Sequence, residues 1–289
     1  MAVESKQMSE LSSVLPVNSN VRLRALVVPR EHGAWGMLLV PLATGGAVAL
    51  SRGGQALPLL GFLVAAMAVF WLRTPLESWL GTTPMRAQTA MEKRSVLAFI
   101  LALSAIAAMM FTALFWGGGN RSLIPLGAIS GLAFLTQAAL KNLSRRLRIA
   151  AQVTGAVGLT AAAPAAYCVA SGHFDLLALA LWLANWLFAG DQIHFVQLRI
   201  HAARVHGIGE KLRLGRAFLA GQAGLAAVLI LAGSYGLLPW AALLAFVPVL
   251  VRGVGWFAAA AQPLAVRRLG WSELAQSVTF GALLIATLR

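Results

Sequence analysis

The feature that most constrains this chain is a succession of apolar stretches separated by connections rich in arginine and lysine. A membrane-spanning helix needs about 20 mostly apolar residues, because the hydrocarbon core is about 30 Å thick and each helical residue rises about 1.5 Å. Nine stretches meet or approach this length, at residues 33–50, 57–72, 96–116, 123–140, 149–170, 174–190, 217–233, 237–251 and 271–288. The sequence therefore predicts an all-α, polytopic membrane protein with nine transmembrane helices.

The composition excludes an ordinary soluble domain. Only 11% of the 289 residues are charged and 59% are hydrophobic, whereas soluble domains carry about 25% charged residues. The net charge of +14 would suit a nucleic-acid binder, but such proteins place their basic residues on a solvated domain surface. Here the basic residues lie between apolar stretches, so we expect the lipid bilayer as partner and no nucleic acid.

The basic residues also predict the orientation of the chain. If the nine stretches alternate across the membrane, 20 of the 23 Lys and Arg fall on one side, and only Arg52, Arg121 and Arg289 fall on the other. Cytoplasmic connections carry such an excess, so we expect the N-terminus in the cytoplasm and the C-terminus outside. Residues 1–28 are predicted to form a disordered or interfacial cytoplasmic tail, and residues 29–289 the nine-helix transmembrane domain.

Small residues within the stretches predict close helix packing. They include Gly127 and Gly131, which form a GxxxG pattern, and the run GAVGLTAAAPAA at residues 155–166. Pro164 within that run predicts a kink, because proline cannot donate a backbone hydrogen bond.

Ionisable residues near the predicted cytoplasmic ends of the stretches are the candidates for function, since such groups are costly near lipid unless a partner compensates. Glu31 and His32 precede the first stretch, and Arg73 and Glu77 follow the second. A carboxylate gains nothing from the anionic inner leaflet, so we expect Glu77 to pair with an arginine or a ligand.

A third group of polar residues continues from the sixth stretch, at Asp191, His194, Gln197 and His201. The separations of three and seven residues place Asp191 and both histidines on one helical face, with Gln197 close to it. This face predicts a cavity between helices, although a helix end that leaves the bilayer would show the same pattern. Asp191 and His194 also have the spacing of two metal ligands on adjacent turns, with side chains of the other two groups completing the set.

Three strings resemble the YwiC-like family of bacterial membrane proteins. They are PREHGAWGMLLVPLATG from Pro29, RTPLE from Arg73 and DQIHFVQLRIHAAR from Asp191. The resemblance implies a multi-pass protein of the bacterial cytoplasmic membrane. The chain is also similar to the UbiA-type intramembrane prenyltransferases, which implies a nine-helix UbiA-like bundle. In that bundle the cavity is capped by the second-to-third and sixth-to-seventh connections.

The chain departs from the UbiA pattern at the residues that carry the reaction. Those enzymes hold prenyl diphosphate through magnesium with the motifs NDxxDxxxD and DxxxD. The first motif is missing here. For the second, Asp191 matches the leading Asp of a family pattern like DxxYAxxD, and then His194 stands at the tyrosine and Leu198 at the second aspartate. Mg²⁺ binds through carboxylates and substrate phosphates, so the similarity implies the architecture rather than the reaction.

We therefore expect a cytoplasm-facing intramembrane cavity that binds a lipid-soluble or amphiphilic anionic ligand. The residues predicted to line it are Glu31, His32, Arg73, Glu77, Asp191, His194, Gln197 and His201. In a UbiA-like bundle, His32, Glu77 and His194 should converge across this cavity. If the chain is an enzyme, a UbiA-like transferase with non-standard residues, Asp191 and His194 are the expected acid/base pair. The alternative is a transporter or binding subunit without covalent chemistry, and the sequence identifies no cofactor or metal.

Overall fold

The computed structural model describes residues 19–29, 32–81, 85–118, 121–144, 147–203, 205, 207–259 and 264–289, without the side chains of residues 19, 20, 32–34 and 118. Over these ranges the regular structure is helical and contains no strand. The helices are α1 (Ser19–Val27), α2 (His32–Ser51), α3 (Ala56–Leu80), α4 (Ala90–Gly118), α5 (Leu123–Leu143), α6 (Arg148–Thr160), α7 (Ala162–Ser171), α8 (Leu176–His201), α9 (Ile208–Ser234), a 3₁₀ helix (Trp240–Phe246), α10 (Val247–Ala258) and α11 (Val266–Leu288).

Seven helical segments in the described part of the chain are long and apolar enough to cross a membrane. They are Ala56–Leu80, Ala90–Gly117, Leu123–Leu143, Arg148–Ser171, Leu176–His201, Ile208–Ser234 and Trp240–Ala258. These segments coincide with the second to eighth predicted spans, which confirms an all-helical protein of membrane type. The first predicted span lies in α2, which is apolar over Trp35–Ser51, and the ninth lies in α11. The count of nine and the orientation of the termini stay predictions.

The fifth of the nine predicted spans is interrupted near its centre. α6 ends at Thr160 and α7 begins at Ala162. Pro164 explains this position, because it has no N–H to donate to the carbonyl of Thr160 and its ring would clash with that group in a continuous helix. The kink predicted from Pro164 is confirmed.

The chain divides into two compact units. Unit 1 comprises Met1–Arg30 and Val64–Met110, and unit 2 comprises Glu31–Leu63 and Phe111–Arg289. In unit 1, the end of α1 is fixed by two side chains of α3. The Ser78 hydroxyl donates to the carbonyl of Leu26, and the Trp71 indole donates to that of Val27, both at 2.9 Å. The predicted tail thus ends in a packed helix, while residues 1–18 lie outside the described part of the structure.

Small residues bring helices close together in unit 2, where α2 packs on α7. A Cβ built on Gly45 would overlap the backbone carbonyl of Ala163, so only glycine fits at this crossing. The predicted close packing of the run around Ala163 is confirmed. For Gly127 and Gly131 of α5 it stays a prediction, since a Cβ on either would meet no other atom within 4 Å in the described structure.

An aromatic stack joins α8 to α11. The Phe188 and Phe280 rings lie parallel with their centroids 4.0 Å apart, and Phe246 meets Phe280 edge-on at 5.3 Å. Asp191 lies three residues after Phe188, and Glu273 lies seven residues before Phe280. Because separations of three and seven residues return to the same helical face, the stack directs these two carboxylates into the same interface.

The turn between α7 and α8 is fixed by Asp175. Its carboxylate accepts hydrogen bonds from the backbone N–H of Ala178 and the Tyr167 hydroxyl, both at 2.9 Å, and lies 3.2 Å from the His173 ring. Burial alone would raise the pKa of Asp175, but the two hydrogen bonds and His173 outweigh it and hold the pKa below its ordinary value. Asp175 therefore caps α8 as a carboxylate at neutral pH.

Candidate functional site

Four polar side chains form a buried network in unit 2, which we call the Arg252 cluster: Asp191 of α8, Gln222 of α9, Arg252 of α10 and Glu273 of α11. One terminal nitrogen of Arg252 donates to Asp191 Oδ2 at 2.9 Å, and the other donates to Glu273 Oε2. Gln222 Nε2 donates to Asp191 Oδ1. The side chains of Asp191, Arg252 and Glu273 are only 2%, 12% and 13% exposed. The cluster thus joins four helices through charged groups that solvent barely reaches.

Apolar neighbours hold the cluster in place. The Arg252 guanidinium lies over the Phe195 ring, 4.1 Å from its centroid, a cation–π arrangement that orients the planar group. A Cβ on Gly253 would lie 2.8 Å from Gln222 Oε1. Glycine at this position therefore leaves room for the Gln222 amide to reach Asp191.

A second polar contact fixes α8 against α11 next to the cluster. Gln192 Nε2 donates to the backbone carbonyl of Glu273 at 2.9 Å and to the Ser277 hydroxyl at 3.0 Å. Gln192 adjoins Asp191 in sequence, so these bonds set the position at which Asp191 faces Glu273. Gln192 and Ser277 are both buried and carry no charge.

The cluster retains unused hydrogen-bonding capacity. In the part of the chain that the structure describes, Arg252 Nε, Glu273 Oε1 and Gln222 Oε1 are buried without a hydrogen-bond partner, as is Gln276 Oε1. A buried polar atom without a partner costs about 1–3 kcal/mol. An incoming polar group or proton would use these atoms, which comprise one free donor and three free acceptors. They lie beside two carboxylates that share one guanidinium.

The predicted acid/base pair has a different geometry from the one expected. Asp191 contacts Arg252 and Gln222, whereas the His194 ring lies edge-on to Phe218 of α9, with centroids 5.3 Å apart. A Cβ on Gly221 would lie 3.1 Å from His194 Nδ1. Over the described ranges His194 makes no hydrogen bond. Asp191 and His194 both face α9, but the structure gives Asp191 an arginine as its partner.

The other two predicted residues of α8 contact different groups. Gln197 Nε2 donates to Gln152 Oε1 of α6 at 3.1 Å. His201 Nδ1 lies 2.7 Å from the carbonyl of Gln197 in its own helix, and its side chain is exposed. The structure thus brings neither residue into the Arg252 cluster.

The remaining predicted residues lie elsewhere in the chain. In unit 1, Arg73 Nε and Glu77 Oε1 form an ion pair of 2.8 Å, with each side chain about one third exposed (34% and 32%). The expectation that Glu77 pairs with an arginine is confirmed. Glu31 and the side chain of His32 lie outside the described part of the structure, so the convergence of His32, Glu77 and His194 stays a prediction. Where side chains are described, no three His, Cys, Asp or Glu residues are grouped to hold a metal ion.

Sequence reasoning missed three of the four cluster residues. The predicted spans place Arg252 in a connection, just after residues 237–251, but α10 continues to Ala258. Glu273 falls inside the predicted span 271–288, and a carboxylate within an apolar span was the feature that could have identified it. No sequence feature distinguishes Gln222 from other glutamines.

The comparisons with known proteins concern the first half of the chain. No curated protein and no solved structure matches the chain. The UbiA-like arrangement therefore stays a prediction. The region of similarity begins just before the string PREHGAWG, includes RTPLE, and ends in α7 ahead of the Arg252 cluster. Within this all-helical protein of membrane type, residues 28–167 match the family described as YwiC-like protein.

Proposed function

We propose that this chain is an integral membrane protein of the bacterial cytoplasmic membrane that binds a lipid-soluble or amphiphilic anionic ligand from the cytoplasmic side. The Arg252 cluster is its binding site for the ligand's polar head. The observation that carries this proposal is the burial of Arg252, whose side chain is 12% exposed, among helices of membrane-spanning composition. Ionisable residues at such positions are costly and typically mark binding sites or pathways.

The guanidinium explains why the ligand should be anionic. Arginine recognises carboxylates and phosphates through the same charge-assisted hydrogen bonds that Arg252 makes with Asp191 and Glu273. An anionic head group would take the place of one of these carboxylates and use the free Nε of Arg252 as well. The aromatic rings of Phe195 and Phe218 next to the cluster suit an apolar ligand body.

Within this proposal, binding or transport without covalent chemistry is favoured over a transferase. A general acid or base must lie within hydrogen-bond reach of the proton that it transfers. Among the described residues, His194 packs against Phe218 and makes no hydrogen bond with Asp191, its expected partner. The alternative function proposed from the sequence, a transporter, would bind its cargo at the same buried charged residues of the Arg252 cluster.

The test is to identify what the native protein retains. The chain would be purified in native lipid discs, and the bound small molecules identified by mass spectrometry, for the native protein and for Arg252→Gln. Arg213→Gln is the matched control, because Arg213 lies exposed on α9. A charged hydrogen bond is worth about 1.5–3 kcal/mol, so Arg252→Gln should weaken ligand affinity by about tenfold or more and lower the amount of ligand retained.

Two results would contradict the proposal. One is equal retention by the native and Arg252→Gln proteins. The other is a loss of the same size in Arg213→Gln, which would indicate a general effect of removing a basic residue. Gel filtration of each variant establishes that the discs contain folded protein.

A further inference from the structure

We propose that Glu273 binds and releases a proton, so that the Arg252 cluster is a buried proton-binding site. This inference goes beyond the proposed ligand, because it depends only on groups present in the described chain. The proton comes from a hydronium ion: an O–H bond forms on the Glu273 carboxyl as an O–H bond of the hydronium ion breaks and leaves water, and release reverses this exchange.

The two carboxylates of the cluster are not equivalent. Both oxygens of Asp191 have partners, since Gln222 donates to Oδ1 and Arg252 donates to Oδ2. Glu273 Oε2 receives the other terminal nitrogen of Arg252, but Glu273 Oε1 is buried without a partner. One guanidinium balances only one carboxylate, so the second negative charge is uncompensated at a site where solvent gives little help. Glu273 Oε1 is the oxygen that can accept a proton without breaking an existing bond.

The surroundings also offer acceptors for a protonated carboxyl. A carboxylic acid becomes a hydrogen-bond donor, and Gln276 Oε1, buried without a partner, lies three residues further along α11 on the same helical face. The second free acceptor is Oε1 of Gln222, a residue that is 6% exposed and already contacts Asp191 through its Nε2. Buried acceptors without donors are difficult to explain beside an ionised carboxylate and are expected beside a protonated one.

The other charged groups near Glu273 leave this balance in place. α8 contributes Asp191, His194, whose ring packs on Phe218, and Arg199, whose charge attracts Glu273. α10 contributes Arg252, and Lys211 of α9 donates instead to the carbonyls that end α10, those of Trp256 and Ala259. The described part of α2, which packs on α11, contributes no charged side chain to this interface. Lowering the pH should therefore leave one Asp191–Arg252 pair beside a neutral Glu273.

The proton can be observed directly by infrared difference spectroscopy. The native protein, reconstituted in lipid vesicles, would be titrated with acid while the C=O stretching band of protonated carboxyl groups is recorded. We expect one component of this band to disappear in Glu273→Gln. It should be unchanged in Glu210→Gln, because Glu210 is exposed at the start of α9. Survival of every component in Glu273→Gln would overturn the proposal.

A conservative variant covers the case in which Glu273→Gln does not fold. In protein whose glutamates carry ¹³C in the side-chain carboxyl, Glu273→Asp should move the same component back to the unlabelled position. A spectrum of labelled Glu273→Asp identical to that of the labelled native protein would also overturn the proposal. Neither measurement requires a bound ligand, so failure here is distinguishable from failure of the ligand experiment.

Discussion

Replacing Arg252 with glutamine should strongly destabilise the protein. The guanidinium is the partner of two carboxylates whose side chains are 2% and 13% exposed, Asp191 and Glu273. Its removal deletes two charge-assisted hydrogen bonds of about 1.5–3 kcal/mol each and leaves two buried acids to be hydrated or protonated. Breaking a buried ion pair by removing one partner costs about 3–5 kcal/mol. We expect the free energy of unfolding to fall by about this amount.

Neutralising the acids as well should recover more than half of that loss. The triple variant Asp191→Asn, Arg252→Gln, Glu273→Gln keeps the volumes of the two acids, shortens the side chain at position 252 as the single variant does, and contains no uncompensated charge. Replacing a complete buried ion-pair network is often close to neutral for stability. The assay is reversible unfolding by SDS in mixed micelles, followed by the fluorescence of the 9 tryptophans. Arg213→Gln, an exposed change, should cost less than about 0.5 kcal/mol.

The reasoning would be refuted by either of two results. A cost below about 1 kcal/mol for Arg252→Gln would mean that solvent reaches the carboxylates and compensates them. A triple variant as unstable as Arg252→Gln would mean that the arginine acts through its packing on Phe195 rather than through its charge.

The same unfolding assay tests the packing of α2 on α7: Gly45→Leu should cost about 2–3 kcal/mol, while Gly127→Leu, in open space, should cost less than about 0.5 kcal/mol. Asp175→Ala should cost about 1 kcal/mol at neutral pH through the lost helix cap. Because the folded pKa of Asp175 is lowered, its contribution is complete above the unfolded pKa and lost as the pH falls through the folded pKa, so native and variant stabilities should converge in acid. Reporter fusions after Arg213 should report the cytoplasm and fusions after Arg121 the outside, and the reverse result would contradict the predicted orientation.

Much of the fold could be predicted because hydrophobic length is a local property. The second to eighth predicted spans needed only runs of apolar residues, and Pro164 located the break between α6 and α7. Close packing at small residues was only partly predictable. Gly45 and Gly127 are both glycines within apolar helices, and only the packing of neighbouring helices gives one of them a contact.

The Arg252 cluster could not be predicted in the same way. Arg252 lies 61 residues from Asp191, and their ion pair exists because α8 and α10 pack together. No periodicity along one helix records such a contact. Asp191 was found because a charge at the end of an apolar run is visible locally. Arg252 was assigned to a connection, although the apolar residues after it extend α10 to Ala258.

We expect the intact cluster to contribute little to holding α8 against α11. The Phe188–Phe280 stack and the bonds of Gln192 with Ser277 already join these helices, and a complete buried ion-pair network is close to neutral for stability. What the cluster provides is sensitivity to charge, since adding or removing a single charge is costly. An anionic head group that replaces Glu273 on Arg252 adds one negative charge, and a proton on the displaced Glu273 cancels it.

Ligand binding and proton uptake should therefore be coupled. By linkage, a ligand whose binding takes up a proton binds more tightly as the pH falls through the range in which that group titrates. Ligand retained per protein, measured by mass spectrometry over a pH series, should rise toward acid in the native protein and in Glu210→Gln. In Glu273→Gln, which has no carboxylate to protonate at this position, retention should be independent of pH. A pH dependence that is identical in Glu273→Gln and the native protein would show that the proton binds elsewhere and that Glu273 does not exchange places with the ligand.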